Sequence, residues 1–427
     1  MMRSMFAAVS GLRAHQTRMD VVGNNIANVN TVAYKKSRVT FQDMMSQTLR
    51  SATTPQGEKG GTNPLQVGLG MKMSSIDTIF TEGNTQTTDK VTDLAIEGNG
   101  FFILKAGDLY LYTRAGNFDL DVEGNLCNPA NGYKVQGWKY NDDGTIDVSQ
   151  PLEDVKVVFG QAIGGGTTRL EYMKNLNSSS ATGEVFEVNT IVYDSQGNSY
   201  EIITRFEKLD QATDPNAWKM SVKAKDNSLE VDSLTPDADG FYEVGTIKFT
   251  NDGLWESLKD SSGSDVTGLQ IIPSDSGRNP FTLKLSFDNL TQFNSETSVE
   301  GIAPDAHGAG RLYDFTIDRN GTVMGIYSNG VTKPLYKIAL TNFNNPAGLV
   351  KVGDSFYQES TNSGKGVPAE ANKGEYGAIV SGSLEMSNVD LSQEFTEMII
   401  TQRGFQANSR VITASDEMLQ ELVNLKR

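Results

Sequence analysis

The chain has 427 residues, with 37 Lys or Arg against 53 Asp or Glu and a formal net charge of −16. That balance excludes a general nucleic-acid surface and an anionic-membrane surface, both of which draw Lys and Arg, and no run of 18 apolar residues is present to cross a bilayer. The length allows two or three cores, the 42 glycines point to many short strands and turns, and the single cysteine, Cys127, forbids an internal disulfide.

At the N-terminus, Arg3 followed by an apolar stretch has the outline of a signal peptide. The stretch is too short, Ser10 and Gly11 interrupt it, and Arg13 follows at once, so export without a cleaved signal is the expectation. From Ser4, taken as N-cap, to about Asn28 the pattern predicts a helix. Met5, Leu12, Met19 and Ile26 recur every seventh place, with Val9, Gln16 and Gly23 between them. Phe6, Val21, Val22 and Val29 fall at other angles, so this helix is apolar on more than one side. The segment Asn24 to Lys36 ends it, and residues 37–70 read as an extended or looped connector.

From about Met71 the period becomes alternating. Ile76, Thr78 and Phe80 predict one strand, Phe101 to Leu104 and Tyr110 to Tyr112 a hairpin, and Phe118, Leu120 and Val122 a further strand. Turn signals of the form Asp-x-x-Gly at Asp121–Gly124, Asp194–Gly197, Asp237–Gly240 and Asp318–Gly321 mark hairpin tips at irregular spacing. Strand patterns continue at Phe186 to Tyr193 and Tyr200 to Phe206. A Ser/Asp/Gly-rich span covers 257–279, and strands resume at Leu312 to Ile317, Val323 to Tyr327 and Leu335 to Leu340. Thr361 to Gly377 reads as a connector.

The last forty residues, Ser387 to Arg427, predict one helix of about 55 Å at 1.5 Å per residue. Leu391, Met398, Phe405, Ile412 and Leu419 recur every seventh place, and Phe395, Gln402, Ser409, Asp416 and Val423 follow each by four. Matched heptads at both ends predict that the two termini pair. Because Gln16, Gly23, Gln402, Ser409 and Asp416 weaken that seam while Ile399, Ile400, Val411 and Leu422 lie off it, the helices call for further neighbours, best supplied by copies of the same chain.

The fold expected is α+β: terminal helices paired as a coiled-coil-like core domain (1–70 plus 376–427), with two mainly antiparallel β-domains inserted between them, a first (71–147 plus 290–375) and an outer one (148–289). Chemistry is sparse. His15 and His307 are isolated, without a second ligand at metal spacing, and neither a nucleophile elbow nor a phosphate-binding loop occurs. Asn141–Gly144 and Asp318–Gly321 match only the start of calcium loops and lack the closing Glu. No catalytic residue, metal or cofactor is expected.

Residues 5–37, MFAAVSGLRAHQTRMDVVGNNIANVNTVAYKKS, closely resemble the N-terminal signature of bacterial flagellar rod, hook and hook-associated proteins, and 384–425 resemble the partner signature. Residues 96–104 and 112–126 are similar to the β-domain shared by rod and hook proteins, and 191–209 and 310–349 to hook proteins in particular. The family usually has Gly just before the motif aromatic. Here Ala33 precedes Tyr34, so a left-handed residue would be strained and a different local turn is expected.

The resemblance implies a hook-type structural subunit that polymerises into a curved tube outside the cell and transmits torque as a universal joint. It implies self-assembly through Met5, Val9, Leu12, Met19, Ile26, Leu391, Phe395, Met398, Phe405, Ile412, Leu419 and Val423, with Asn24, Asn25, Ile26, Ala27, Asn28, Thr31, Tyr34 and Lys35 as the family motif. Distal rod, hook cap, hook-filament junction proteins and the flagellar export apparatus are the partners it implies, with neither nucleic acid nor membrane insertion. Two alternatives stay open: a distal-rod subunit, and an oligomeric extracellular β-rich enzyme or adhesin.

Overall fold

A computed structural model describes residues 2–55, 60–141, 143–210, 216–226, 229–232, 234–274 and 279–425. Helix α1 spans Met2–Ala27 and helix α2 spans Leu391–Asn424, with strands between them. The structure corrects both helix starts. α1 begins two residues before Ser4, and α2 begins only at Leu391, because the Asp390 side chain accepts from the N–H groups of Ser392 (2.8 Å) and Gln393 (3.3 Å) and caps the first turn. Of the terminal residues assigned to the helix, Lys426 and Arg427 lie outside the described residues.

The described residues divide into two compact units: Met1–Val157, Thr316–Met324 and Pro334–Arg427 form the first, and Val158–Phe315 with Gly325–Lys333 the second. These boundaries differ from the expected 148 and 289 for physical reasons. Glu153 and Asp154 pair with Gly137 and Gln136, which keeps that stretch in the first unit. The strand Phe281–Phe293 runs unbroken through 290, and Ala162 pairs with Arg311, which keeps 290–315 in the second. Both helices share the first unit with the β-strands that follow, and no break falls at 70: Ser37–Asp43, expected as connector, pairs antiparallel with Met71–Thr78.

Within the first unit, Phe101–Ala106 and Leu109–Thr113 form the predicted hairpin, and Lys134–Lys139 and Phe356–Gln358 flank it. Its core is aromatic. Phe80 meets Phe101 edge-on at 5.6 Å and Tyr357 tilted at 5.3 Å, and Tyr112 meets Phe343 edge-on at 4.9 Å, contacts that add to area burial. Within the connector, Ser46–Arg50 pairs with Leu65–Gly68, and Val367–Glu370 pairs with Thr332–Asn342.

Two five-stranded sheets make up most of the second unit. One runs through Val185–Tyr193, Ser199–Lys208, Ala217–Ala224, Tyr242–Phe249 and Trp255–Lys259, all antiparallel. The other centres on Phe281–Phe293, which pairs parallel with Arg169–Asn177, so the unit is not wholly antiparallel. Between them Tyr172 stacks on Phe287 at 5.3 Å, meets Phe206 edge-on and shares a 2.6 Å hydrogen bond with Thr204. Alternation along each strand places one face on this core, the physical reason for the period read from the sequence. The Ser/Asp/Gly-rich span also holds strand Gly268–Pro273; residues 275–278 of it lie outside the described residues.

The Asp-x-x-Gly turns share one geometry. In each, the Asp Oδ1 accepts from the N–H groups two and four residues on, as Asp121 does from Glu123 (2.9 Å) and Asn125 (2.7 Å), and Asp318 from Asn320 and Thr322. The glycine takes φ of +84° at Gly124 and +73° at Gly321, which a side chain rarely adopts. Asp260–Gly263 is a further member with the same geometry.

Candidate assembly site at the paired chain ends

The two helices pack side by side and run antiparallel: Gly11 lies against Asn408, His15 against Gly404, Arg18 pairs with Glu397 at 3.0 Å, and the Asn25 amide donates to Glu394 at 3.1 Å. The buried residues are small or polar. Ala8, Gly11, Ala14, Val22 and Asn25 turn inward on α1, and Glu394, Thr401 and Ser415 on α2. A Cβ on Gly404 would come within 2.8 Å of the His15 ring, and one on Gly11 within 2.8 Å of the Asn408 amide, so these glycines permit close approach. Gly404, which costs an isolated helix about 1 kcal/mol relative to Ala, has this contact as its physical reason.

The seven-residue period therefore holds, but the inward line is Glu394, Thr401 and Ser415, with the half-buried Asn408 against Gly11 between them, and not the apolar heptads. Met5, Val9, Leu12, Met19 and Ile26 are half-buried, as are Met398, Ile412 and Leu419, while Leu391, Phe395, Phe405 and Val423 are exposed. The cause is steric: small residues at Gly11 and Gly404 let the backbones approach on their own face, and the larger apolar side chains are displaced to its flanks. On the other flank of α2, Ile400, Val411 and Met418 are exposed too.

Below the helices the family motif forms a polar clasp. Asn25 is buried, donates to Ser37 O at 2.9 Å and accepts from Ser37 N at 3.0 Å. Tyr34 donates through its hydroxyl to Asn24 at 2.8 Å, Asn28 donates to Asn24 O at 2.9 Å, and Thr31 donates to Asn28 at 3.1 Å. Burial raises the Tyr34 pKa, and the charge of Glu394 adds to this. Ala27 is exposed and joins none of these bonds. From the C-terminal side Asn388 accepts from Lys36 N at 2.8 Å and donates to Ile79 O at 2.9 Å.

At the centre lies an ionic group that the sequence reading missed in part. Glu385 is fully buried and accepts from Lys35 Nζ at 2.5 Å, Gly83 N at 2.9 Å and Arg114 Nε at 2.9 Å. Lys35 also donates to Thr81 O at 2.7 Å, and Arg114 to Ile96 O at 3.1 Å and Gly98 O at 2.6 Å, so the cations share their protons among several acceptors. Burial pushes the Lys35 pKa down; the Glu385 charge opposes that shift, and Arg114 adds to it. The signal available was the alternation Ser383, Leu384, Glu385, which puts Glu385 on the same inward face as Ser383; the Asp390-x-x-Gln393 cap was legible too.

Ala33 overturns the expected local turn. It holds a left-handed φ of 54°, is buried, and donates its N–H to Glu385 O at 2.8 Å. Bonds made by Tyr34, Lys35 and Lys36 fix the chain on its far side and hold it there.

Among the described residues no group of three or more His, Cys, Asp or Glu could hold a metal ion, and no helix is long and apolar enough to cross a membrane. His15 lies edge-on to Phe41 at 6.2 Å, and burial together with the charge of Arg18 lowers its pKa. Cys127 is half-buried with its pKa raised by burial, the opposite of an activated thiol. What the arrangement supplies is a stiffly anchored helix pair with two apolar flanks.

Four family models match the chain in order: a flagella basal body rod protein over 5–35, a flagellar hook protein FlgE/F/G D1 domain over 95–160, a flagellar basal body protein FlaE D2 domain over 166–306, and a flagellar basal body rod FlgEFG protein C-terminal region over 380–425. Together with the paired ends they define a structural protein of the rod-and-hook class of the bacterial flagellum. Flagellar hook proteins FlgE from Borreliella burgdorferi and Treponema pallidum are 43% and 39% identical to the chain, each with all of both proteins covered. A flagellar basal-body rod protein FlgG from Bacillus subtilis is 32% identical, again over all of both chains. The chain belongs to the flagellar hook protein family.

Proposed function

We infer that the chain is the structural subunit of the flagellar hook, polymerising outside the cell into the curved tube that serves as the universal joint between motor and filament. It carries out no catalysis and meets the distal rod, hook cap, hook-filament junction proteins and export apparatus. The terminal helices form a coiled-coil-like inner layer with neighbouring subunits, and the β-rich parts form the outer layers.

The single observation that carries the assembly role is the pattern on α2. Its face toward α1 is polar and small, while Leu391, Phe395, Phe405, Ile400, Val411 and Met418 stand on exposed flanks. Fully burying one such side chain stabilises by about 1.5–3 kcal/mol, so a row of them left in water favours association strongly. The seam residues named from the heptads are then contacts between subunits.

Electron microscopy of the purified full-length chain under salting-out conditions tests this. Curved tubes with the termini innermost are expected. Straight tubes would favour the rod reading, which identity to a FlgG protein keeps in view, and discrete trimers without tubes would favour an oligomeric adhesin.

A further inference from the structure

Among the described residues, two apolar surfaces of the first unit are left uncovered. Counting back along α1 from the Gly11–Asn408 contact, Met2 reaches about position 417 of α2, so the last two turns of α2 run past the end of α1. The buried line of α2 continues into this overhang: the next seven-residue step after Ser415 is Leu422, which is 50% exposed where Ser415 is 2% exposed. Val423 and Leu425 beside it are 68% and 82% exposed. The overhang thus carries on the α1–α2 interface with larger apolar residues that no described residue covers.

The second surface is a groove of about 580 Å³ on the side of α1 turned away from α2. Phe6 of α1 lines one wall, and Met44, Leu69 and Met73 the other, all four exposed; Arg13 and Lys72 contribute its positive charge. Its base is fixed, because Met71 N donates to Ser10 Oγ at 3.3 Å and a Cβ on Gly70 would meet that oxygen at 2.4 Å. Flexible methionines suit a groove that must accept a helix through a range of angles. The overhang carries Glu421, with Glu417 at its base, charges opposite to those of the groove.

We propose that the overhanging end of α2, around Leu422, docks in the Phe6–Met73 groove of a second copy of this chain. This rests on the polymeric reading above and deepens it by naming the two surfaces that join. The contact is heterologous, groove to helix end, so it propagates from copy to copy instead of closing a dimer.

The test uses the full-length chain with Cys127→Ser as background and Met73→Cys and Leu422→Cys added singly and together. Oxidised polymers of the double variant are expected to give a ladder of cross-linked multimers on non-reducing gels, absent from both single variants and from unpolymerised protein. Intact tubes without a ladder, or a ladder from Met73→Cys alone, would overturn the proposal. In parallel, Leu422→Asp is expected to leave the monomer's circular dichroism unchanged and to slow polymerisation by about tenfold or more, the fold-change matching loss of one buried leucine; a wild-type rate would overturn the proposal as well. If the unsubstituted chain forms no polymer, the polymeric reading itself fails, a result that microscopy distinguishes from tubes lacking the cross-link.

Discussion

Ala33 donates its backbone N–H to the carbonyl of Glu385 at 2.8 Å while holding a φ of 54°, so a residue with a side chain sits where the local geometry calls for glycine. The left-handed conformation costs a non-glycine residue about 1–2 kcal/mol, and the clasp on either side sustains it. Replacing Ala33 by Gly is expected to stabilise the first unit by about 1 kcal/mol, after the entropy of the freer unfolded chain is subtracted. Urea unfolding followed by circular dichroism checks this; a loss of stability would mean that the buried Cβ contributes more than the strain costs.

The same carboxylate holds two cations, which gives a sharper expectation. Substituting Glu385→Gln leaves Lys35 and Arg114 buried with reduced compensation, and breaking a buried ion pair from one side costs about 3–5 kcal/mol. The first unit should unfold earlier in a calorimetric scan while the second unit's transition stays in place. A single transition shifted as a whole would show that the two units unfold together.

Acid should act through the Asp-x-x-Gly turns. Burial pushes the Asp194 carboxyl up, but the Asn198 amide and the backbone N–H groups of Asn198 and Gln196 outweigh it, and the net pKa lies below the usual aspartate value of 3.8. Asp237 is lowered as well, first by the Phe241 N–H. A carboxyl depressed in the folded state contributes stability that is complete above its unfolded pKa and disappears as pH falls through the folded value. Stability of the second unit is therefore expected to be flat above about pH 5 and to fall steeply below about pH 4. In Asp194→Asn the fall should be shallower; an identical acid limb would assign the effect to other carboxyls.

Charge placed on the exposed flank of α2 should separate assembly from folding. Phe405 is 39% exposed and off the buried line, so Phe405→Asp is expected to preserve the monomer's spectrum and secretion while preventing tubes; Ile412→Asp, at a half-buried position, should do the same with some loss of stability. Normal tubes from both variants would show that this flank faces solvent in the polymer.

The sequence alone determined the period of both terminal helices, the hairpin tips at Asp121, Asp194, Asp237 and Asp318, and the family signatures at both ends, because each is written in residues close along the chain. Periodicity states how often a helix repeats a face but not which face is inside. Tertiary structure decided that, turning Glu394, Thr401 and Ser415 inward, because Gly11 and Gly404 allow a closer approach than Leu391 or Phe405 could. The burial of Glu385 between Lys35 and Arg114, and the left-handed Ala33 beside them, arise from segments hundreds of residues apart meeting at one point, where the net of many bonds outweighs a local preference. Local chemistry wrote the elements; close approach and the pairing of buried charge chose how they meet.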